Sequence, residues 1–89
     1  MISRELKIIN KLGLHARAAA KLVKLSSSFA CSIDIEKDGQ RVNCKSIMGV
    51  MMLAASCGTI VTLIAEGPDE EKALNAIGEL IDNRFDEEE

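Results

Sequence analysis

The sequence is poor in aromatic side chains: it has no tryptophan, no tyrosine and two phenylalanines, Phe29 and Phe85, far apart in the chain. Nothing in it reads as a platform for stacking bases. Net charge is −3, so the global field does not favour a nucleic acid partner either. The three cysteines, Cys31, Cys44 and Cys57, form no CxxC pair, and a single histidine leaves no ligand spacing for structural zinc. An odd set of unpaired thiols fits a reduced, cytoplasmic protein. There is no run of the roughly 20 apolar residues that would cross a bilayer. Arg4, Glu5 and Lys7 interrupt the N-terminal apolar stretch, so neither a leader peptide nor membrane insertion is expected. No cofactor is called for.

What is present suits one small domain. The 89 residues allow a single core, and 47% of them are apolar. Residues 1–89 therefore read as one domain ending in an acidic tail, 86–89, a solvated end.

Periodicity divides the chain into seven elements. Ile2, Leu6 and Ile8 alternate with polar residues as a half-buried strand. After Asn10–Gly13 a helix begins beyond His15. Ala16, Ala19, Ala20, Leu22 and Val23 supply its apolar face, and Arg17, Lys21 and Lys24 form a basic stripe at i, i+4 and i+7. Ser26–Ser28 end it. Cys31, Ile33 and Ile35 alternate in a second strand. Asp38-Gly39 then signals a hairpin to a short third strand, Arg41 to Asn43. Ser46 caps a short helix over Ile47–Ala55, with Gly58 just past its end. Thr59–Glu66 is a β-branched, central strand. Asp69 caps a last helix, whose period is carried by Ala73, Leu74, Ile77, Leu80 and Ile81. The order βαββαβα implies an α+β fold, one sheet with helices on one face. On the fourth strand Val61, Leu63 and Ala65 should face the helices. Alternation should then send Ile60, Thr62 and Ile64 to the open side.

His15 is the candidate reactive group. A helix N-terminus presents unpaired N–H groups, which keep an imidazole neutral and nucleophilic and also stabilise an anion attached to it. Arg17 can pair with phosphate oxygens. No Ser-His-Asp order, glycine-rich phosphate loop or paired carboxylate accompanies it. A nucleophile without activating groups suits a carrier that borrows catalysis from its partners, not an autonomous enzyme. The helix after Ser46 is too apolar to bury every side, so Ile47, Met48 and Met51 are candidate partner contacts. A phosphate on Ser46 would set roughly −2 charge beside them.

Gly13-Leu14-His15-Ala16-Arg17, and Lys45-Ser46-Ile47-Met48-Gly49-Val50-Met51-Met52-Leu53-Ala54-Ala55, resemble the two signatures of the HPr family. These are the histidine-containing phosphocarriers of the bacterial phosphoenolpyruvate-dependent phosphotransferase system. The resemblance runs essentially end to end, through Gly67-Pro68-Asp69-Glu70. It implies an open-faced β-sandwich, with a four-stranded antiparallel sheet of order 1-4-2-3 under three helices. By that order Ile9, on the neighbouring first strand, would join Ile60, Thr62 and Ile64 in an apolar row on the open side. It implies that His15 is phosphorylated on Nδ1 by enzyme I and passes the group to a IIA protein or domain. It also implies that Ser46 matches the site of HPr kinase/phosphorylase. The basic stripe of Lys21 and Lys24 and the apolar Ile47, Met48 and Met51 are the surface on which such partners are expected to dock. One position departs: Ala18 stands where the family usually has proline, although alanine should preserve the helix. The Phe85-Asp86-Glu87 ending is similar to the nitrogen-related branch, which regulates rather than imports sugar. A purely regulatory module is thus the alternative function. A metallochaperone or RNA-binding domain of the same element order is disfavoured by the missing CxxC and aromatics.

Overall fold

The computed structural model describes residues 1–86. The first strand, β1, runs Ile2–Lys7, followed by helix α1 at Ala16–Ser27 and strands β2 (Ser32–Lys37) and β3 (Gln40–Asn43). Helix α2 is Ile47–Met52, strand β4 is Ile60–Glu66 and helix α3 is Glu70–Asp82, with a closing turn at Arg84–Asp86. The sheet has order β1-β4-β2-β3 and is antiparallel throughout, as the family resemblance implied. β4 is one of the two inner strands, with β2. It pairs Ile2 with Ala65 and Lys7 with Ile60 on one side, and Ser32 with Glu66 and Glu36 with Thr62 on the other.

Strand alternation decides what the helices cover. Ile33, Ile35, Val61, Leu63 and Ala65 are wholly buried, while Ile60, Thr62 and Ile64 turn to the open side. The expected apolar row on that side does not form. β1 ends at Lys7, before Ile9, and the register sets Lys7 beside Ile60, Glu5 and Glu36 beside Thr62, and Ser3 and Asp34 beside Ile64. Two isoleucines in a polar surround are ordinary surface. The β2–β3 hairpin turns at Asp38 and Gly39, both at positive φ, 50° and 83°, as a primed turn requires.

Three local expectations are corrected. The buried face of α1 is Ala18, Ala19, Leu22 and Ser26, whereas Ala16 and Ala20 are exposed. Leu22 fixes the inward direction, and 100° steps from it select Ala18 and Ala19. Helix α2 stops at Met52 rather than at Ala55. Its cap is Leu53, and the reversal falls on Ala54 at φ 54°, not on Gly58. The apolar run outlasts the helix because Leu53 and Ala55 are buried in the segment that follows it. Asp69 occupies the N-cap position of α3 but makes no side-chain cap bond. Its carboxylate instead accepts the N–H groups of Ala30 and Cys31, both at 2.9 Å, tying the start of α3 to the approach to β2. Those donors, Ala30 foremost, hold its carboxyl below the usual carboxylate range.

The chain closes with Phe85, fully buried although it lies in a left-handed turn, with φ of 56°, 55° and 61° at Arg84, Phe85 and Asp86. Each such residue costs about 1–2 kcal/mol. Burying the phenyl ring and bonding the Phe85 carbonyl to Lys21 Nζ at 2.6 Å offset that strain. Of the acidic tail, Asp86 is exposed and 87–89 lie outside the described residues.

Ala54 offers a direct check on the left-handed end of α2. Because its side chain is exposed, Ala54→Gly should raise stability by about 0.5–1 kcal/mol, the relieved strain exceeding the added unfolded-state entropy. Urea unfolding with a lower midpoint than the parent would show that the position carries no strain.

Candidate functional site

The segment between β1 and α1 is shaped by a backbone contact. Asn10 is buried and donates from Nδ2 to the Gly13 carbonyl at 2.7 Å, while Gly13 N–H donates back to the Asn10 carbonyl at 3.2 Å. Gly13 sits at φ 65°, and a Cβ there would stand 2.6 Å from the Ala55 carbonyl oxygen and 2.8 Å from Ser56 Cα. Both the conformation and the contact demand glycine. The next residue, Leu14, buries its side chain and donates its N–H to Ala55 O at 2.8 Å. The loop after α2 thereby holds the loop before α1.

His15 follows at once, half-buried, at the N-cap of α1 with extended φ −75° and ψ 176°. Its carbonyl accepts Ala19 N–H at 2.8 Å, the first bond of the helix, but its imidazole makes no cap bond. The opening amides of α1 have no partners within the helix. No acidic residue in the first turn offsets the positive end of the dipole. Arg17 is exposed in that same turn. The arrangement can receive a compact anion on the imidazole.

The basic stripe divides. Lys24 is exposed, but Lys21 commits its amine to Phe85 O. Both border a groove of about 390 Å³ with Leu25, Ser28, Leu80 and Asp86, along the C-terminal half of α1 and away from His15. Across the other flank of α1 packs α2. Ser46 caps α2, its Oγ accepting Gly49 N–H at 3.2 Å. Val50 and Leu53 anchor the helix in the core, while Ile47, Met48 and Met51 are exposed.

Two exposed apolar residues escaped the sequence reading. Met52 lies one turn beyond Met48, so helical spacing alone could have found it. Leu12 sits in the loop before His15, where no periodicity flags it. Among the described residues no group of three or more His, Cys, Asp or Glu could hold a metal ion, and no helix is long and apolar enough to cross a membrane.

A family model described as the PTS HPr component phosphorylation site matches residues 2–83. The chain belongs to the HPr family. It is 54% identical over 89 residues to phosphocarrier protein HPr of Cupriavidus necator, covering all of both chains. It is 53% identical over 90 residues to HPr of Pseudomonas aeruginosa, again covering both completely. The crystal structure of HPr-C-His from Thermoanaerobacter tengcongensis superposes with a TM-score of 0.97 at 49% identity, covering 100% of each chain. The chain is thus an HPr-type phosphocarrier of the phosphotransferase system, and α1 begins at Ala16 without the proline usual two residues later.

The contact at Gly13 makes the geometry of this HPr site testable. Gly13→Ala should lower stability by about 2 kcal/mol or more, from the left-handed φ and the overlap with Ala55. The imidazole chemical shifts of His15 should move with it. Parent-like stability together with unchanged His15 shifts would mean the two loops are not held by this contact.

Proposed function

We propose that His15 accepts a phosphoryl group from enzyme I and delivers it to a IIA protein or domain. The observation that carries this reading is a half-buried imidazole at the N-cap of a helix whose first turn has no acidic residue. A lone pair on the ring, Nδ1 by family resemblance, attacks phosphorus. A P–N bond forms, the donor's bond to phosphorus breaks, and its electron pair stays with the donor. Transfer onward reverses these roles. Unpaired amides of α1 and the Arg17 guanidinium stabilise the added charge in the loaded state. The chain contributes an acceptor and an anion site, and the partner contributes the activating groups. The thiols are free, in keeping with a cytoplasmic single-domain carrier.

Partners dock, in this reading, over the exposed face of α2 and the adjoining loop. Ile47, Met48, Met51, Met52 and Leu12 supply the apolar contact, and Arg17 and Lys24 steer an acidic partner. Lys21 adds charge, but its amine is held by Phe85 O. Ser46 is the regulatory site, phosphorylated by HPr kinase/phosphorylase. The phosphate sits at a helix start, which suits the fold, yet faces the acidic partner and repels it.

The regulatory alternative drew on the Phe85-Asp86-Glu87 ending. Phe85 is fully buried and its carbonyl holds Lys21, so packing alone accounts for that residue, and the choice between the two readings rests on which IIA protein accepts the group.

Acid-labile labelling by enzyme I and phosphoenolpyruvate tests the acceptor. His15→Ala should take no label, and full labelling of that variant would end the assignment. In the same assay Met48→Glu should cut the transfer rate about tenfold at limiting carrier, through lost apolar contact and added charge. A parent rate would remove α2 from the docking face.

Ser46→Asp preserves a good N-cap while adding a charge, so it separates electrostatics from unfolding. Transfer from enzyme I should slow several-fold, more at low than at high salt. An unchanged rate at low salt would exclude repulsion as the mechanism.

A further inference from the structure

Methionine is distributed unevenly in this chain. None of its four methionines lies in the core, which is built from Ile, Leu, Val, Ala, Cys and Phe. Filling core gaps is the usual employment of this side chain. Here Met1, Met48, Met51 and Met52 are 74%, 69%, 43% and 68% exposed. The last three occupy one short helix at i, i+3 and i+4, so their sulfurs share one face.

The thiols are placed the opposite way. Cys31 and Cys44 are buried, and burial raises both above the ordinary thiol range, Cys44 to about 12. Oxidation by peroxide needs the thiolate, whose sulfur attacks a peroxide oxygen, and burial suppresses that form. Apart from Met1 and the exposed Cys57, the oxidisable sulfur within reach of solvent is therefore that of α2.

We propose that α2 is a methionine-sulfoxide switch: peroxide oxidises Met48, Met51 and Met52, and the modified face no longer docks partners. In each step a thioether lone pair attacks one peroxide oxygen, the O–O bond breaks and an S–O bond forms. Sulfur loses two electrons, and hydrogen peroxide is reduced to water after proton transfer. The product is a polar, chiral sulfoxide that must be desolvated when a partner covers it. The fold is spared, because Val50 and Leu53, not the methionines, anchor the helix. The inference rests on α2 being the docking face.

The test uses the full chain carrying Cys57→Ser, treated with hydrogen peroxide, quenched and compared with its own untreated form. Peptide mass spectrometry should find one added oxygen on each of Met48, Met51 and Met52, with far-UV circular dichroism unchanged. The rate of transfer from phosphorylated enzyme I should fall about fivefold or more. Methionine sulfoxide reductases A and B with dithiothreitol should restore it. The variant Met48→Leu/Met51→Leu/Met52→Leu, in the same background, should show equal rates before and after peroxide. Met1 remains in that variant to confirm that oxidation took place. Sulfoxides on α2 without loss of rate, or an equal loss in the leucine variant, would overturn the proposal. If Met48→Glu slows transfer while the sulfoxides do not, the switch fails and the docking face stands. If neither slows it, the docking face itself is wrong.

Discussion

A single backbone contact organises the functional end of this molecule. Gly13 and Leu14 lie against Ala55 and Ser56 so closely that no side chain fits between them. That contact sets where α1 begins, and α1 carries His15 as its first cap. It also fixes the loop that leaves α2, so the His15 imidazole and the exposed apolar helix are joined through one contact. The left-handed residues at Gly13 and Ala54 belong to the two loops that meet there. Conformations that are unfavourable in isolation persist because the packed loops leave no alternative.

Much of this was legible in the residues. Strict alternation of Ile33, Ile35, Val61, Leu63 and Ala65 revealed which face of the sheet is covered. Asp38-Gly39 located the hairpin, and the period of Ala73, Leu74, Ile77 and Ile81 located α3. Ser46 read correctly as a cap, and the exposure of Ile47, Met48 and Met51 followed from a helix too apolar to bury itself. The failures share a cause. Ala16, Ala18, Ala19 and Ala20 are chemically alike, so the inward side of α1 depends on neighbours the local pattern does not contain. Asp69 could bond its own helix or the distant amides of Ala30 and Cys31, and only the tertiary fold decides. Leu12 and the left-handed turn at Phe85 carry no periodicity at all. The roles of Arg17 and Lys24 depend on surfaces of other proteins.

A common device secures the helices. Each ends near a lysine amine from another part of the chain: Lys45 reaches Phe29 O beyond α1, Lys37 reaches Leu53 O and Ala54 O at the end of α2, and Lys21 reaches Phe85 O after α3. A cation beyond the C-terminal end suits the dipole, and each amine also satisfies a carbonyl of the segment that follows its helix. These lysines are therefore structural, whatever else their charge does. Within the basic stripe of α1 the division is plain: Lys21 is bonded to Phe85 O, whereas Lys24 is exposed.

The inner position of β4 also governs the order in which the molecule can be built. β1 has no neighbour in the sheet except β4, and its pairing joins residues as distant in sequence as Ile2 and Ala65. While the ribosome is still making α1, the hairpin and α2, the first strand has nothing to pair with, and the segment that delivers His15 stays tethered to it. Closing so long a loop is slow compared with forming a hairpin or a helix. The nascent chain therefore acquires its hairpin early and the anchoring of the segment before α1 late, once β4 has emerged and inserted between β1 and β2. Until then the segment that carries His15 hangs from a strand without a partner.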